Sequence, residues 1–551
     1  MRQRAGIRDV LRAMFANPDL RRTGLAYAGF NAAEWGVWIA LLVYAYGHGG
    51  ATAASVAAVV QLVPAGLFAP FAARFADRGA PARVLAAGYL AQAATMAATA
   101  GALLAGAPPA IVFVLAGLAA SATTITRPAQ AALVPALVRG LDELTSANVV
   151  LGWTESVSLL VAPAVAGALL AVSEPAAVFA VMAALVLASA VLVVRVRGPV
   201  PAPDGDGDTE EEGEEDRRVA LGELLAGLRV VARDPQARLL VGVLAMQFVL
   251  IGALDVLFVV LAIEVLDLGG SGAGYLNAAF GAGGVIGIAL TIRLIGRARL
   301  APALVTASLG WSLALLVLGL WQTAIGAFAL LAAAGAGRIV LDVAARTLLQ
   351  RSAPAGVLAR VFGVLETLDA IGLALGSVLA SLLVAALGPG AAVAGLAPLL
   401  PVLLVVAGRR LRTLDAHADV PLVEIALLRS HAFFAALRGP VLERLARELT
   451  PVTLRAGECV IREGQPGERY YVVGDGRLEV SRGAVPIASV GRGEGVGEIS
   501  LLAGVPCTAT VTALTDVQLY AIEPQPFIDV VTGHAASARV AQRLVRERLQ
   551  S

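Results

Sequence analysis

Nine ionisable residues stand inside stretches that are otherwise apolar: Glu34, Arg127, Glu155, Asp255, Arg338, Asp342, Arg346, Glu366 and Asp369. A charge at membrane depth is costly, so such residues pair with one another or serve a substrate or ion path. Glu34 follows Arg22 by twelve residues, which on a helix is about 18 Å, near the middle of a bilayer. Asn31 shares its helical face. A carboxylate there is a candidate proton carrier, or else a hydrogen-bonded lock between helices. Arg127 lies about 12 Å inside from Pro135, and Glu155 about as far in from Ala147, so the two can pair across consecutive spans. The same spacing recurs with Arg346 and Glu366. Arg338, Asp342 and Arg346 fall at i, i+4 and i+8 on one face, and Glu366 shares a face with Asp369. These groups fit ion pairs that hold or gate one side of a membrane, and they also fit a proton relay or an anion site. Asp255, roughly 25 Å past Arg238, is expected near the far surface; with Glu34 and Asn31 it completes the candidates for proton or substrate coupling.

The elements that must carry these residues are membrane spans. The chain has 551 residues, a mean hydropathy of +0.79 and only 15% charged residues, where a soluble protein carries about 25%. A net charge of +1 selects no partner, and nucleic acid is not expected. Four histidines are scattered and no nucleophile elbow is present, so neither an enzyme nor a metal protein is indicated. Residues 1–22 carry six arginines and no cleavable apolar core; within the amino-terminal segment 1–21, Ile7, Val10, Leu11, Met14 and Phe15 suggest an amphipathic helix on the cytoplasmic surface. Windows of about 20 apolar residues give twelve spans, six in 22–195 and six in 221–412. Between them, 196–220 is an acidic, Pro- and Gly-rich linker of disordered composition. Loops at 47–51, 107–109, 173–175, 266–270 and 387–390 lack arginine, whereas the alternate connections carry Arg74, Arg78, Arg83, Arg139, Arg293, Arg297, Arg299, Arg351 and Arg360. By the positive-inside rule those loops, the linker and both termini are cytoplasmic, in a multi-pass cell (inner) membrane protein.

The halves look like copies. Arg127 precedes Pro135 as Arg346 precedes Pro354, and Gly152-Trp-Thr-Glu155 is echoed by Gly363-Val-Leu-Glu366; such repeats are usual in secondary transporters. Over roughly 20–410 the chain resembles the major facilitator superfamily. Ala73-Arg-Phe-Ala-Asp77-Arg78-Gly79 is similar to its cytoplasmic loop motif, with alanine for the leading glycine. Arg127-Pro-Ala-Gln130 is similar to its fourth-span motif, and Ala162-Pro163-Ala-Val-Ala166-Gly167 to the fifth-span motif of exporters. The resemblance implies a proton-coupled exporter of a small amphipathic molecule, of the multidrug and siderophore branch.

From 423 to 551, after a linker at 413–422, charge rises and short alternating segments between glycines predict an antiparallel β-roll with flanking helices. This part resembles a cyclic nucleotide-binding domain, through Arg462-Glu-Gly464-Gln-Pro-Gly467, Gly497-Glu498-Ile499-Ser500-Leu501-Leu502 and Val505-Pro506-Cys507-Thr508. The resemblance implies a regulatory ligand, cyclic AMP or cyclic GMP, and no other cofactor. Gly497 lets backbone amides approach the phosphate, Glu498 accepts the ribose hydroxyl, and Thr508 supplies a hydroxyl. The family's phosphate-binding arginine is replaced by Cys507. Three readings stay open: weakened nucleotide binding, a packing or regulatory module that binds none, and redox chemistry at Cys507. Cys459, on an apolar strand, is expected in the core. A membrane-tethered sensor that no longer transports is the rival for the whole chain. A nucleotide-gated channel is disfavoured, because there is no arginine-rich voltage sensor and no TVGYG-like filter.

Overall fold

The computed structural model describes residues 14–78, 80–138, 141–196, 222, 226–291, 294, 299–352, 355–406, 422–431 and, with short breaks before 448, on to 532. The acidic linker, residues 1–13, the connection at 407–421 and the terminal helical pattern after 532 lie outside that range. The chain forms two compact units, one up to His417 and one from Ala418 onward, apart from a short piece at 295–298.

The first unit is a bundle of long helices: α1 Pro18–Gly47, α2 Gly50–Arg78, α3 Pro81–Leu104, α4 Pro109–Leu137, α5 Leu141–Val172, α6 Pro175–Val194, α7 Pro235–Val260, α8 Gly269–Thr291, α9 Ala301–Leu320, α10 Ala324–Ser352 and α11 Ala355–Leu387. Two short helices, α12 Pro389–Leu396 and α13 Leu399–Val406, follow on either side of a turn. Among the described residues nine helical segments are long and apolar enough to cross a membrane. Helices α1, α2 and α3 are not among them: α1 carries Asp19, Arg21, Arg22 and Glu34, and α3 is rich in Ala, Gly and Thr.

Local chemistry sets the helix starts. Proline in the first turn of α1, α3, α4, α6 and α7 costs nothing there, because those N–H groups have no helical acceptor. Asn17 Oδ1 accepts from the Asp19 and Leu20 amides, while its Nδ2 donates to Leu137 O at the end of α4, so one side chain ties two helix ends together. Met14, expected on the membrane surface, is instead buried against Leu20, Val134, Ala147 and Val150.

The packing repeats. Helix α1 lies on α5 as α7 lies on α11, α2 on α4 as α8 on α10, and α3 on α4 as α9 on α10. The halves meet along α5–α8 and α2–α11, two contacts that the repeat interchanges. Pro163 cannot donate to the carbonyl of Leu159, and Gly281 of α8 packs directly on that carbonyl. One turn further, a Cβ at Gly274 would lie 2.5 Å from Pro163 O and 2.6 Å from Gly167 N; only glycine permits this approach. On the other seam, Ser55 Oγ donates to Ser377 O at 2.5 Å, and Tyr46 of α1 donates to Glu264, in the π turn Leu261–Val265 that ends α7.

The described residues of the second unit start with α14 Leu422–Ser430 and include eight strands: β1 Thr450–Leu454, β2 Cys459–Ile461, β3 Tyr470–Asp475, β4 Leu478–Arg482, β5 Val485–Val490, β6 Gly495–Val496, β7 Thr510–Ala513 and β8 Val517–Ile522. They form two four-stranded sheets, ordered β1-β8-β3-β6 and β2-β7-β4-β5. All pairs are antiparallel, so the β-roll expectation holds. Val473, Leu478, Val490, Val511 and Leu519 fill the space between the sheets. Outside it, Phe433, Phe434, Tyr470 and Phe527 join α14 and α16 (Pro524–Thr532) to the roll. Buried His431 holds this junction: its Nδ1 accepts from the Phe433 amide at 3.2 Å, and its Nε2 meets Tyr470 Oη at 2.8 Å. Cys459 corrects the expectation of a core cysteine. It is exposed because β2 is an edge strand whose register shifts at that point.

Candidate functional sites

Each half of the helical unit assembles a charged cluster from three helices. In the first, Arg127 on α4 reaches Glu34 on α1 (Nη2–Oε2, 2.9 Å) and Glu155 on α5 (Nη1–Oε1, 3.9 Å). The Arg127 and Glu155 side chains remain 50% and 60% exposed, so this cluster is open rather than sealed. The sequence spacing points to the Arg127–Glu155 pair; it does not point to the closer partner, Glu34, which comes from a third helix. Asn31 is buried and donates to Tyr27 O at 2.9 Å, one helical turn back along α1.

The second cluster uses the repeat-related helices. Arg346 on α10 donates through Nε to both carboxylate oxygens of Asp342, at 3.1 Å each, and its Nη2 lies 3.6 Å from Asp369 Oδ2 on α11. Gln247 on α7 donates to Asp342 Oδ1 at 3.0 Å. The expected Arg346–Glu366 pair is therefore corrected. Asp369, one turn further along α11, takes the place next to Arg346, and Glu366 acts on both only through its field. Gln247 was missed because an uncharged amide does not stand out in a hydropathy reading; its position on α7, the repeat mate of α1, is the signal that could have found it. Asp255, expected towards the far surface of the membrane, is buried among side chains, because that end of α7 is covered by its neighbours. It faces Trp38 and the Arg338 guanidinium, without a fully formed bond to the Trp38 N–H. Arg338 in turn sits over the Phe280 ring, 5.7 Å from its centroid.

Asp77 and Arg78 end α2; their side chains lie outside the described ones. Among the described residues no group of three or more metal-ligating side chains occurs.

In the roll, the predicted cassette is a short helix, α15 Glu498–Ala503, preceded by Gly497 at φ +99°. A Cβ at Gly497 would come within 2.7 Å of Arg469 O, so glycine is required twice over, by conformation and by space. Glu498 and Ser500 are buried, Ile499 and Thr508 half-buried, and Ser500 Oγ donates to Gly497 O at 3.1 Å. Two backbone bonds bring the flanking motifs together: Gly464 N–H to Cys507 O and Cys507 N–H to Gln465 O, both 2.8 Å. Cys507 is buried beside the cassette, its Sγ 3.8 Å from where a Gly467 Cβ would stand, against Ser500. Arg469, near the same strand, is already paired with Glu523 at 2.8 Å. Burial raises the Tyr471 phenol above its ordinary range, so it stays a neutral hydroxyl beside these groups.

The profile of the cyclic nucleotide-binding domain matches residues 451–534. The cGMP-dependent protein kinase egl-4 of Caenorhabditis briggsae is 37% identical over 101 residues, which is 17% of this chain and 14% of the kinase; the chain thus spans a small fraction of that relative, its nucleotide-binding part only. Among solved structures, the regulatory domain of Toxoplasma gondii PKA with cAMP is 29% identical, covering 22% of this chain and 47% of that one, at a TM-score of 0.21. The N-terminal domain of a transcriptional regulator from Streptomyces coelicolor A3(2) is 35% identical, covering 22% and 92%, at a TM-score of 0.20. The profile of the Major Facilitator Superfamily matches residues 23–377. With an arginine–carboxylate cluster in each of two repeat-related halves, the chain belongs to the Major Facilitator Superfamily and carries a cyclic nucleotide-binding domain after its helical unit.

Proposed function

We propose that the protein is a twelve-span, proton-coupled exporter of a small amphipathic molecule in the cell membrane. Both termini are cytoplasmic, and its transport is biased by cyclic AMP or cyclic GMP at the C-terminal roll. The observation that carries this reading is the pair of charged clusters, one per half, built from corresponding helices. An apolar bundle that only anchored a sensor would have no use for them, since each buried charge costs stability. The halves touch through Tyr46–Glu264, Ser55–Ser377 and Gly167–Gly274. These contacts sit at the helix ends joined by arginine-free loops, so this conformer is read as closed outward and open to the cytoplasm. A proton on Glu34 would cancel its charge and release Arg127 from its nearest partner, linking protonation to rearrangement of α1, α4 and α5. Cys507 favours a second reading for the roll alone: a regulatory module that no longer binds nucleotide.

The test is uptake of amphipathic fluorescent dyes into proteoliposomes under an imposed pH gradient. The full chain is expected to move dye only while the gradient lasts. Glu34→Gln is expected to abolish gradient-driven flux. Unchanged flux in that variant removes Glu34 as the carrier, and absence of flux with every dye overturns the transporter reading.

A further inference from the structure

We propose that the junction between α14 and the roll is a pH switch: His431 closes it while the imidazole is neutral, and a second proton on the ring opens it. The switch stands on the geometry of the second unit and is independent of which ligand the roll binds.

His431 directly follows α14 and is 4% exposed. Both of its ring nitrogens are engaged. The Phe433 amide can only donate, so Nδ1, 3.2 Å away, accepts and carries no hydrogen. The hydrogen of the neutral ring is then on Nε2, which donates to Tyr470 Oη at 2.8 Å. The backbone thus fixes the tautomer. A second proton has one place to go, Nδ1, where it would point at the Phe433 N–H. Two donors would then face each other in a buried site, and the acceptor of the Phe433 amide would be lost. The surroundings house an imidazolium poorly. Phe433 and Phe434 have ring centroids 5.1 Å from the imidazole and Tyr470 5.8 Å, all tilted or edge-on. Strand β6 presses on the same pair: a Cβ at Gly495 would lie 3.0 Å from Nε2.

The charged groups of the described residues packed here are exposed or have other partners. Arg429 of α14 and Glu448 are exposed, and Glu424 of α14 acts on Tyr520. Arg469, beside β3, is paired with Glu523, just before α16, and Asp529 of α16 accepts from Gln525 at 3.2 Å. Glu494, beside β6, accepts from the Gly491 amide. Helix α15 reaches the junction through Leu501 and Leu502. Tyr470 of β3 is the titratable group that meets the imidazole, and it is itself 1% exposed.

An imidazole in water takes its second proton near pH 6.5, to about a unit. The opened junction can take that proton and the closed one refuses it. Closure is therefore at full strength above this pH and weakens as the pH falls through it, by about tenfold in the closed-to-open ratio for each unit below. The strands keep a separate core between the sheets, so α14 loosens while the roll persists. Under the transport reading above, the junction lies in the compartment to which an exporter delivers its protons; that link rests on the reading, and the switch does not.

Hydrogen exchange of the purified full chain, followed by mass spectrometry and corrected for the intrinsic effect of pH, is the test. From about pH 7.5 to about pH 5.5, the amides of α14 and of Phe433 to Ala435 are expected to lose roughly tenfold in protection, while β3 and β8 keep theirs. His48→Gln, His417→Gln and His534→Gln together remove the other three histidines and should leave this response intact. His431→Asn, whose side-chain oxygen can accept from the amide two residues on and does not titrate, should keep the junction closed at both pH values. Tyr470→Phe should lower protection at both and preserve the response, because Nδ1 is untouched. Equal protection at the two pH values in the unaltered chain overturns the proposal, and so does a response that vanishes in the triple variant or persists in His431→Asn. Should His431→Asn lose protection throughout the roll, the triple variant decides. No flux is read, so failure of the transporter reading leaves the switch standing.

Discussion

A charge-assisted hydrogen bond to a phosphate is worth about 1.5–3 kcal/mol, and the cysteine at position 507 brings no guanidinium to make one. The rest of the cassette is in place: Gly497 in the left-handed region, and Glu498 and Ser500 buried on α15. Cys507→Arg is therefore expected to tighten binding of cyclic AMP or cyclic GMP by roughly ten- to a hundredfold, measured by calorimetry on the full chain in detergent. No binding before or after the change would mark the roll as a packing module. At this scale the sequence was informative where charge announced itself. Arg127, Glu155 and Arg346 stand out against alanine and leucine, and helical rise places them at one depth. What it could not specify is which of several carboxylates an arginine selects, because Glu34, Glu155, Glu366 and Asp369 differ only by a turn of helix or by which helix they occupy. Packing made that choice, bringing Glu34 to Arg127 and Asp369 to Arg346.

Helices and strands were legible to within a few residues, since long apolar runs and alternating strands leave little choice. The short alternating segments expected between glycines include β2, β3 and β4. Edges were not legible. Whether a strand lies inside a sheet depends on partners far along the chain, which is why Cys459 is exposed. The seam between halves was equally hidden, because a glycine in a membrane helix reads the same whether or not a neighbour presses on it. Here Gly274 has no room for a side chain against Pro163 and Gly167. Leucine at 274 should force α5 and α8 apart and disfavour the conformer in which the halves meet at this end. With Cys459 and Cys507 replaced by serine, a cysteine at Ser55, which lies on the other seam, reports the change. Labelling by a membrane-impermeant maleimide added outside is expected to rise several-fold in Gly274→Leu. Equal labelling would show that the α5–α8 contact does not control that seam.

For the whole molecule the question is whether the two units share a free energy. The helical unit and the roll each have their own core, so each can hold its own ligand, and covalent attachment alone couples nothing. If the nucleotide shifts the balance between transporter conformers, linkage demands that substrate shifts nucleotide affinity by the same factor. Couplings of this kind amount to about 1–3 kcal/mol, or roughly five- to 150-fold. The full chain with Cys507→Arg should then bind cyclic nucleotide with an affinity that changes when a transported amphipathic dye saturates the helical unit. Its dye affinity should change by the same factor when nucleotide saturates the roll. Truncation at Leu414 should leave dye binding intact and remove the nucleotide response. Two affinities that ignore each other, in a chain that binds both ligands, would make the roll a passenger. The repeat explains why a small coupling would suffice: α5–α8 and α2–α11 are equivalent contacts between the same two halves, so a bias applied to one half bears on both seams.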